Sequence, residues 1–88
     1  RGPLRIALVD IATGRRRWLT DPPALIRGDT QVEFSPDGKW MVFVRQVTDS
    51  EMDLYLMPSD GGAPERITHD ESRIAGLAWL PDSSGLVF

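Results

Sequence analysis

The sequence VEFSPDGKWMVFVRQVTDSEMDLYLMPSDGGAPERIT, residues 32–68, decides the fold. It contains four short segments of strand-forming residues, separated by turn residues at a nearly even spacing. A strand of this length is not stable alone, so we expect the four segments to pair as one small antiparallel sheet.

Three features of this stretch define the middle of the sheet. Ser35-Pro36-Asp37-Gly38 predicts a β-turn, because Pro36 presets φ at the first central position and the next two residues suit the later ones. Residues 40–44 are continuously apolar, which indicates a strand that is covered on both faces. Residues 45–51 are mostly polar and are predicted to be a connection to the next strand.

The same pattern of strands and turns continues outward from this stretch. Alternating apolar residues predict a strand over 4–11, and Gly14 suits the turn before a return strand over 15–20. Pro22 and Pro23 remove two backbone donors, so residues 21–30 are predicted to be a loop. Further strands are predicted at 31–34, 52–57, 65–68, 74–80 and 86–88. No helical periodicity of useful length is present, so the predicted class is all-β.

Length and composition limit the class of protein. The 88 residues make at most one small domain, and 41% of them are apolar, which suffices for a core. A net charge of −3 argues against a nucleic-acid surface on this segment, and no apolar run is long enough for a membrane span. The chain has no cysteine, so disulfides and thiolate metal sites are excluded.

The chain matches itself at two offsets. Residues 8–20 align with residues 56–68 at a shift of 48, and residues 34–37 align with residues 79–82 at a shift of 45. A period of about 45 residues with four strands is typical of β-propeller blades. With the strands of a blade labelled A to D, residues 1–20 are strands C and D of a partial blade, 31–68 a complete blade, and 74–88 strands A and B of the next. The predicted fold is an all-β β-propeller segment, one complete four-stranded antiparallel blade flanked by two half blades in one propeller domain.

The repeated residues resemble the TolB-like (WD-repeat-like) β-propeller repeat family. The last copy has Ser83-Ser84 where the first has glycine and lysine, so we expect its turn to differ. The residues that carry the resemblance are Phe34, Pro36, Asp37, Gly38, Gly61, Gly62, Thr68, Trp79, Pro81 and Asp82.

The resemblance implies a non-catalytic scaffold for protein or ligand contacts, which would be periplasmic if the chain is TolB-like. Two alternatives stay open. One is the gating propeller of a cytoplasmic prolyl oligopeptidase-type serine peptidase whose catalytic domain lies outside this segment. The other is the sensor propeller of a winged-helix transcription regulator.

The residues offer little catalytic chemistry. With one histidine, no cysteine and no Gly-x-Ser-x-Gly motif, we predict no catalytic, cofactor or metal site. Asp49, Glu51 and Asp53 alternate, but Leu54 stands where a calcium loop requires glycine, so they are expected to be a solvated strand start. The aromatic residues in strands are predicted to lie in the core, because aromatic side chains dominate packing between sheets; these residues are Phe34, Trp40 and Trp79.

In a propeller, the loops that join D to A and B to C lie on one face, which here gives residues 21–30, 45–52 and 69–73. Binding specificity is commonly built on such loops, so this face is predicted to contact another protein or a peptide. The candidate residues are Arg27, Asp29, Arg45, Glu51, His69, Glu71 and Arg73. The two half blades are complementary, so the open edges are expected to pair with other blades of a longer parent or with copies of the chain in a head-to-tail ring.

Overall fold

The structure is a computed structural model that describes residues 2–69 and 74–88. The strands in these ranges form three antiparallel sheets: one of four strands in the order β3-β4-β5-β6, and two hairpins, β1-β2 and β7-β8. Their bounds are β1 Ala7–Val9, β2 Arg16–Trp18, β3 Gly28–Phe34, β4 Trp40–Thr48, β5 Glu51–Pro58, β6 Glu65–Arg66, β7 Ala78–Trp79 and β8 Leu86–Val87. The all-β prediction is confirmed. Within the described ranges, no helix is long and apolar enough to cross a membrane.

The four-stranded sheet extends further than the sequence predicted. Residues 45–51 were predicted to be a connection, but β4 continues to Thr48 and β5 begins at Glu51, so that only Asp49 and Ser50 make the turn. Polar side chains do not prevent a segment from pairing as a strand when they find hydrogen-bond partners. Arg45 has such a partner. Likewise, β3 begins at Gly28, inside the stretch that was predicted to be a loop.

Strand β4 lies between two apolar layers. Met41 and Phe43 face one side, whereas Val42 and Val44 face the other, and all four are buried. The first cluster consists of Ile6, Met41, Phe43 and Met57, bordered by Leu19, Val32 and Tyr55. The second cluster consists of Val42, Val44, Leu54 and Ile74, bordered by Met52, Leu56, Leu77, Trp79 and Leu86. The prediction of a strand covered on both faces is confirmed.

The two predicted turns have the same geometry. Gly38 N–H donates to the Ser35 carbonyl at 2.9 Å, and Ser83 N–H donates to the Leu80 carbonyl at 3.0 Å. Gly38 has φ 76° and Ser83 has φ 65°, so the serine adopts the left-handed conformation that glycine adopts more easily. The expectation of a different second turn was therefore wrong. The reason lies in the aspartate that precedes the residue of positive φ in each turn. Asp82 Oδ1 accepts a hydrogen bond from Ser84 N–H at 3.0 Å, which holds the second turn.

Two of the three predicted core aromatics are not in the core. Phe34 is 44% exposed, and Trp40 is 40% exposed and lines an open cleft together with Trp79. Trp79 does pack on the second cluster. The prediction for Asp53 was wrong in the opposite direction, because Asp53 was predicted to be solvated and is buried. The Thr68 hydroxyl and the Arg66 guanidinium donate to its carboxylate at 2.8 and 2.7 Å, which satisfies the charge.

Candidate interaction face

Two of the three predicted loops meet at one end of the four-stranded sheet. We call this end, formed by residues 26–30 and 45–52, the loop edge. Asp29 lies opposite Arg45 in the pairing of β3 with β4, so three of the candidates are strand residues rather than loop residues: Asp29, Arg45 and Glu51. His69 is exposed and follows β6 by a few residues. Glu71 and Arg73 lie outside the described residues.

Asp29 and Arg45 form a buried ion pair at the loop edge. Arg45 Nε donates to Asp29 Oδ1 at 2.8 Å, and Nη2 donates to Oδ2 at 3.1 Å. The Asp29 side chain is 0% exposed and that of Arg45 is 12% exposed. Hydrogen bonding to Asp29 raises the pKa of Arg45, which therefore stays charged. The Arg45 guanidinium carbon also lies 4.8 Å from the centre of the Tyr55 ring. These two candidates hold β3 on β4 and are not available to a partner.

The N-terminal segment lies against the same edge. Leu4 N–H donates to the Arg27 carbonyl at 3.0 Å, and Asp29 N–H donates to the Leu4 carbonyl at 2.8 Å. This approach requires glycine at position 28, because a Cβ there would lie 2.2 Å from the Leu4 nitrogen, and φ of Gly28 is 120°. The contact leaves a cleft of about 390 Å³ beside it, lined by Gly2, Pro3, Leu4, Ile26, Arg27 and Gln46.

The remaining charged groups of the loop edge are exposed. Arg27 pairs with Asp49, and the two side chains are 60% and 80% exposed. Glu51 accepts a hydrogen bond from the Thr48 hydroxyl at 3.3 Å. Exposed ion pairs contribute little to stability. Arg27 or Asp49 can therefore leave this pair and contact a bound group at a small cost in free energy.

Gln31 is a residue next to the loop edge that no sequence pattern singles out. Its φ is 54°, and it lies where the register between β3 and β4 shifts between Thr30 and Glu33, which is the mark of a β-bulge. The bulge places its side-chain amide to donate to the Ile74 carbonyl at 3.2 Å, which ties β3 to the C-terminal segment. Glycine or asparagine would have signalled such a conformation, whereas glutamine does not.

The part of the chain that the structure describes contains no group of three or more histidine, cysteine or carboxylate residues placed to hold a metal ion. The chain matches no known family model and no curated protein.

Proposed function

We propose that the chain is a non-catalytic β-propeller segment of the TolB-like type, in which the four-stranded sheet is one blade and the two hairpins are half blades. Its role is that of a scaffold, and its loop edge binds an extended peptide segment of a partner protein.

The blade assignment is supported by hydrogen bonds that recur at the two offsets of the sequence repeat. Thr20 Oγ1 accepts from Ile6 N–H at 3.0 Å, and 48 residues later Thr68 Oγ1 accepts from Leu54 N–H at 2.9 Å. Leu19 N–H donates to Ile6, as Ile67 N–H donates to Leu54. The turn bonds to Ser35 and to Leu80 recur at the shift of 45 in the same way. Different sequences that make the same bonds at the same positions favour a repeated structural unit.

The interaction role is carried by one observation: exposed Arg27 lines a cleft and pairs with exposed Asp49, while the neighbouring pair of Asp29 and Arg45 is buried and fixes the strands. A binding group loses less entropy on a surface that is already ordered. The cleft is lined by residues 2–4, by Gln46, whose side-chain amide can both donate to and accept from a peptide backbone, and by Arg27, which would select a carboxylate in the peptide.

The test is a selection of random peptides on the immobilised chain, followed by measurement of the affinity of a selected peptide by fluorescence polarisation. We expect Arg27→Glu to weaken that binding at least about tenfold, which corresponds to about 1.4 kcal/mol. The matched control is Arg15→Glu, the same change of charge at an exposed arginine that lies away from the loop edge. Equal affinity in the two variants, or no selected peptide, would refute the proposal.

A further inference from the structure

The hairpin β1-β2 repeats the outer part of the four-stranded sheet, but its edge carries different residues. By the shift of 48, β2 corresponds to residues 64–66, of which the last two form β6. Among the described strands, β6 pairs only with β5 and β2 pairs only with β1. The same side of both strands is therefore open, which makes an open edge at this position a property of the repeated unit. We call the open side of β2, Arg16–Trp18, the outer edge.

The backbone of the outer edge is free to pair with a further strand. Leu19 N–H donates to the Ile6 carbonyl, on the side of β1. Because backbone groups alternate along an antiparallel strand, those of Arg16 and Trp18 point away from β1. The counterpart of Arg16 is Pro64, which has no N–H to donate. Proline in an edge strand hinders pairing with another strand, so β6 is protected where β2 is not.

The outer edge also carries positive charge that the other copy of the repeat does not have. Arg16 and Arg17 are exposed, and in the part of the chain that the structure describes neither forms an ion pair with a carboxylate. Arg17 donates one hydrogen bond to the Asp60 carbonyl at 3.2 Å, which leaves its other donors free. Their counterparts are Pro64 and Glu65. The four-stranded sheet forms without these arginines, so the fold does not depend on them.

Trp18 holds two guanidinium groups beside the outer edge. The guanidinium carbon of Arg5 lies 4.0 Å from the centre of the Trp18 ring, and that of Arg16 lies 5.2 Å from it. In the four-stranded sheet the counterparts of Arg5 and Trp18 are Asp53 and Arg66, which form an ion pair at 2.7 Å. One copy therefore has an internal pair of opposite charges where the other has a cation on an aromatic ring. A guanidinium that is already ordered on a ring loses less entropy when it binds a carboxylate.

We propose that the outer edge binds an extended acidic segment of a partner protein, which pairs with β2 as an added strand. Successive side chains of a strand point to opposite faces, so Arg16 and Trp18 share one face and Arg17 lies on the other. In an added strand, the residue opposite Arg17 meets its guanidinium, and the residues on either side of it meet Arg16 and Arg5. Three consecutive carboxylates match this distribution, because each of them accepts hydrogen bonds from one guanidinium.

A polypeptide matches the outer edge better than a nucleic acid does. The open N–H and C=O groups of a strand edge pair with another peptide backbone, which a nucleic acid does not have. The net charge of the chain is −3, which opposes the binding of a polyphosphate.

The outer edge is separate from the loop edge, so this inference goes beyond the proposed function. Arg16 lies opposite Val9, five residues along the chain from Leu4, which is the residue that contacts the loop edge. Five residues of a strand span roughly 16 Å. A variant that loses binding at the outer edge should therefore keep the peptide that the loop edge binds.

The test is fluorescence polarisation with a labelled nine-residue peptide that has three glutamates between threonines. We expect Arg16→Pro to weaken binding at least about tenfold, because it removes a charge and the outward N–H. This change copies Pro64, and circular dichroism checks that the variant folds. Arg16→Gln removes the charge and keeps the N–H, so we expect a loss of about threefold. The control is Lys39→Gln, which removes one charge at an exposed residue of the four-stranded sheet's turn and should change the affinity less than about twofold.

Four results would overturn the proposal. The first is an equal loss in Arg16→Pro and Lys39→Gln, since the peptide would then sense only net charge. The second is an equal affinity of Arg16→Pro and Arg16→Gln, which would show that the outward N–H takes no part. The third is equal binding of a peptide with glutamines in place of the glutamates, or tighter binding of an oligodeoxynucleotide of the same charge. The fourth is no binding of the peptide together with an increased mass of Arg16→Gln by light scattering, which would mean that the arginine only protects the edge from aggregation.

Discussion

The ion pair of Asp29 and Arg45 provides the sharpest test of how the loop edge is held together. The change is Asp29→Ala, which removes a fully buried carboxylate and leaves the Arg45 guanidinium, only 12% exposed, without its partner. Removing one member of a buried pair costs about 3–5 kcal/mol, because the remaining charge is desolvated and uncompensated. Arg45 keeps some contact with water, so we expect the lower end, about 3 kcal/mol.

This loss is large compared with the total free energy of unfolding of the chain. A chain of 88 residues has a free energy of unfolding of roughly 4–13 kcal/mol. The same edge contains a matched control, since Asp49→Ala breaks an ion pair of the same two residue types that is 60% and 80% exposed. That change is expected to cost less than about 1 kcal/mol. The double variant Asp29→Leu with Arg45→Met removes both buried charges and should recover most of the loss, to within about 1 kcal/mol of the natural chain.

The assay is urea unfolding followed by tryptophan fluorescence at one fixed protein concentration. With a slope of about 1 kcal/mol per molar urea, Asp29→Ala lowers the midpoint by about 3 M, or unfolds the chain without denaturant. The reasoning is refuted if Asp29→Ala and Asp49→Ala shift the midpoint equally, or if the double variant is no more stable than Asp29→Ala.

Two further predictions concern backbone positions and acid. Gly28→Ala should lower the free energy of unfolding in urea by about 3 kcal/mol, because the new Cβ would lie 2.2 Å from the Leu4 backbone and φ is 120°. The control Gly76→Ala, whose new Cβ would have no atom within 4 Å, should change it by less than about 0.5 kcal/mol. Equal losses in the two variants would contradict the docking of Leu4. The hydrogen bond from the Ser35 hydroxyl, with that from Lys39 N–H, lowers the pKa of Asp37 from its usual 3.8. The stabilisation by the charged carboxylate is therefore complete above pH 3.8 and lost as the pH falls through the lowered pKa. Asp37→Asn should lower the thermal midpoint at neutral pH and lose that difference in strong acid; a difference independent of pH would contradict the role of the charge.

Much of the fold is predictable because local residue chemistry agrees with the backbone. The β-turn at residues 35–38 follows from proline and glycine at their preferred positions, and it is present as predicted. The continuous apolar run at residues 41–44 predicts a strand with two covered faces, and the two clusters confirm this. In both cases the deciding interaction is local or depends only on the alternation of side chains.

The candidate site was less predictable, because its structure depends on pairs of residues far apart in sequence. The local sequence predicts a loop at Arg45, and only the placement of Asp29, 16 residues earlier, opposite Arg45 makes it a strand residue. The local sequence predicts a solvated Asp53, and only the hydrogen bond from the Thr68 hydroxyl, just after β6, explains its burial. The reverse holds for Trp40, whose bulk predicts burial although it lines an open cleft and is 40% exposed. A single sequence shows which residues are polar but not which of them will find a partner.

The two clusters also explain why aligned apolar residues differ in burial along the described chain. Strand β4 has an apolar layer on each face and a hydrogen-bonded neighbour on each edge, so its residues 41–44 are all buried. Residues 86–88 align with residues 41–43 at a shift of 45, but among the described strands β8 pairs only with β7, and Val87 is exposed where Val42 is buried. The same type of side chain is therefore core in one copy and surface in the other. The difference in burial therefore arises from the surroundings of the strand rather than from the type of residue, which is why an apolar pattern predicts a strand but not how much of it is covered.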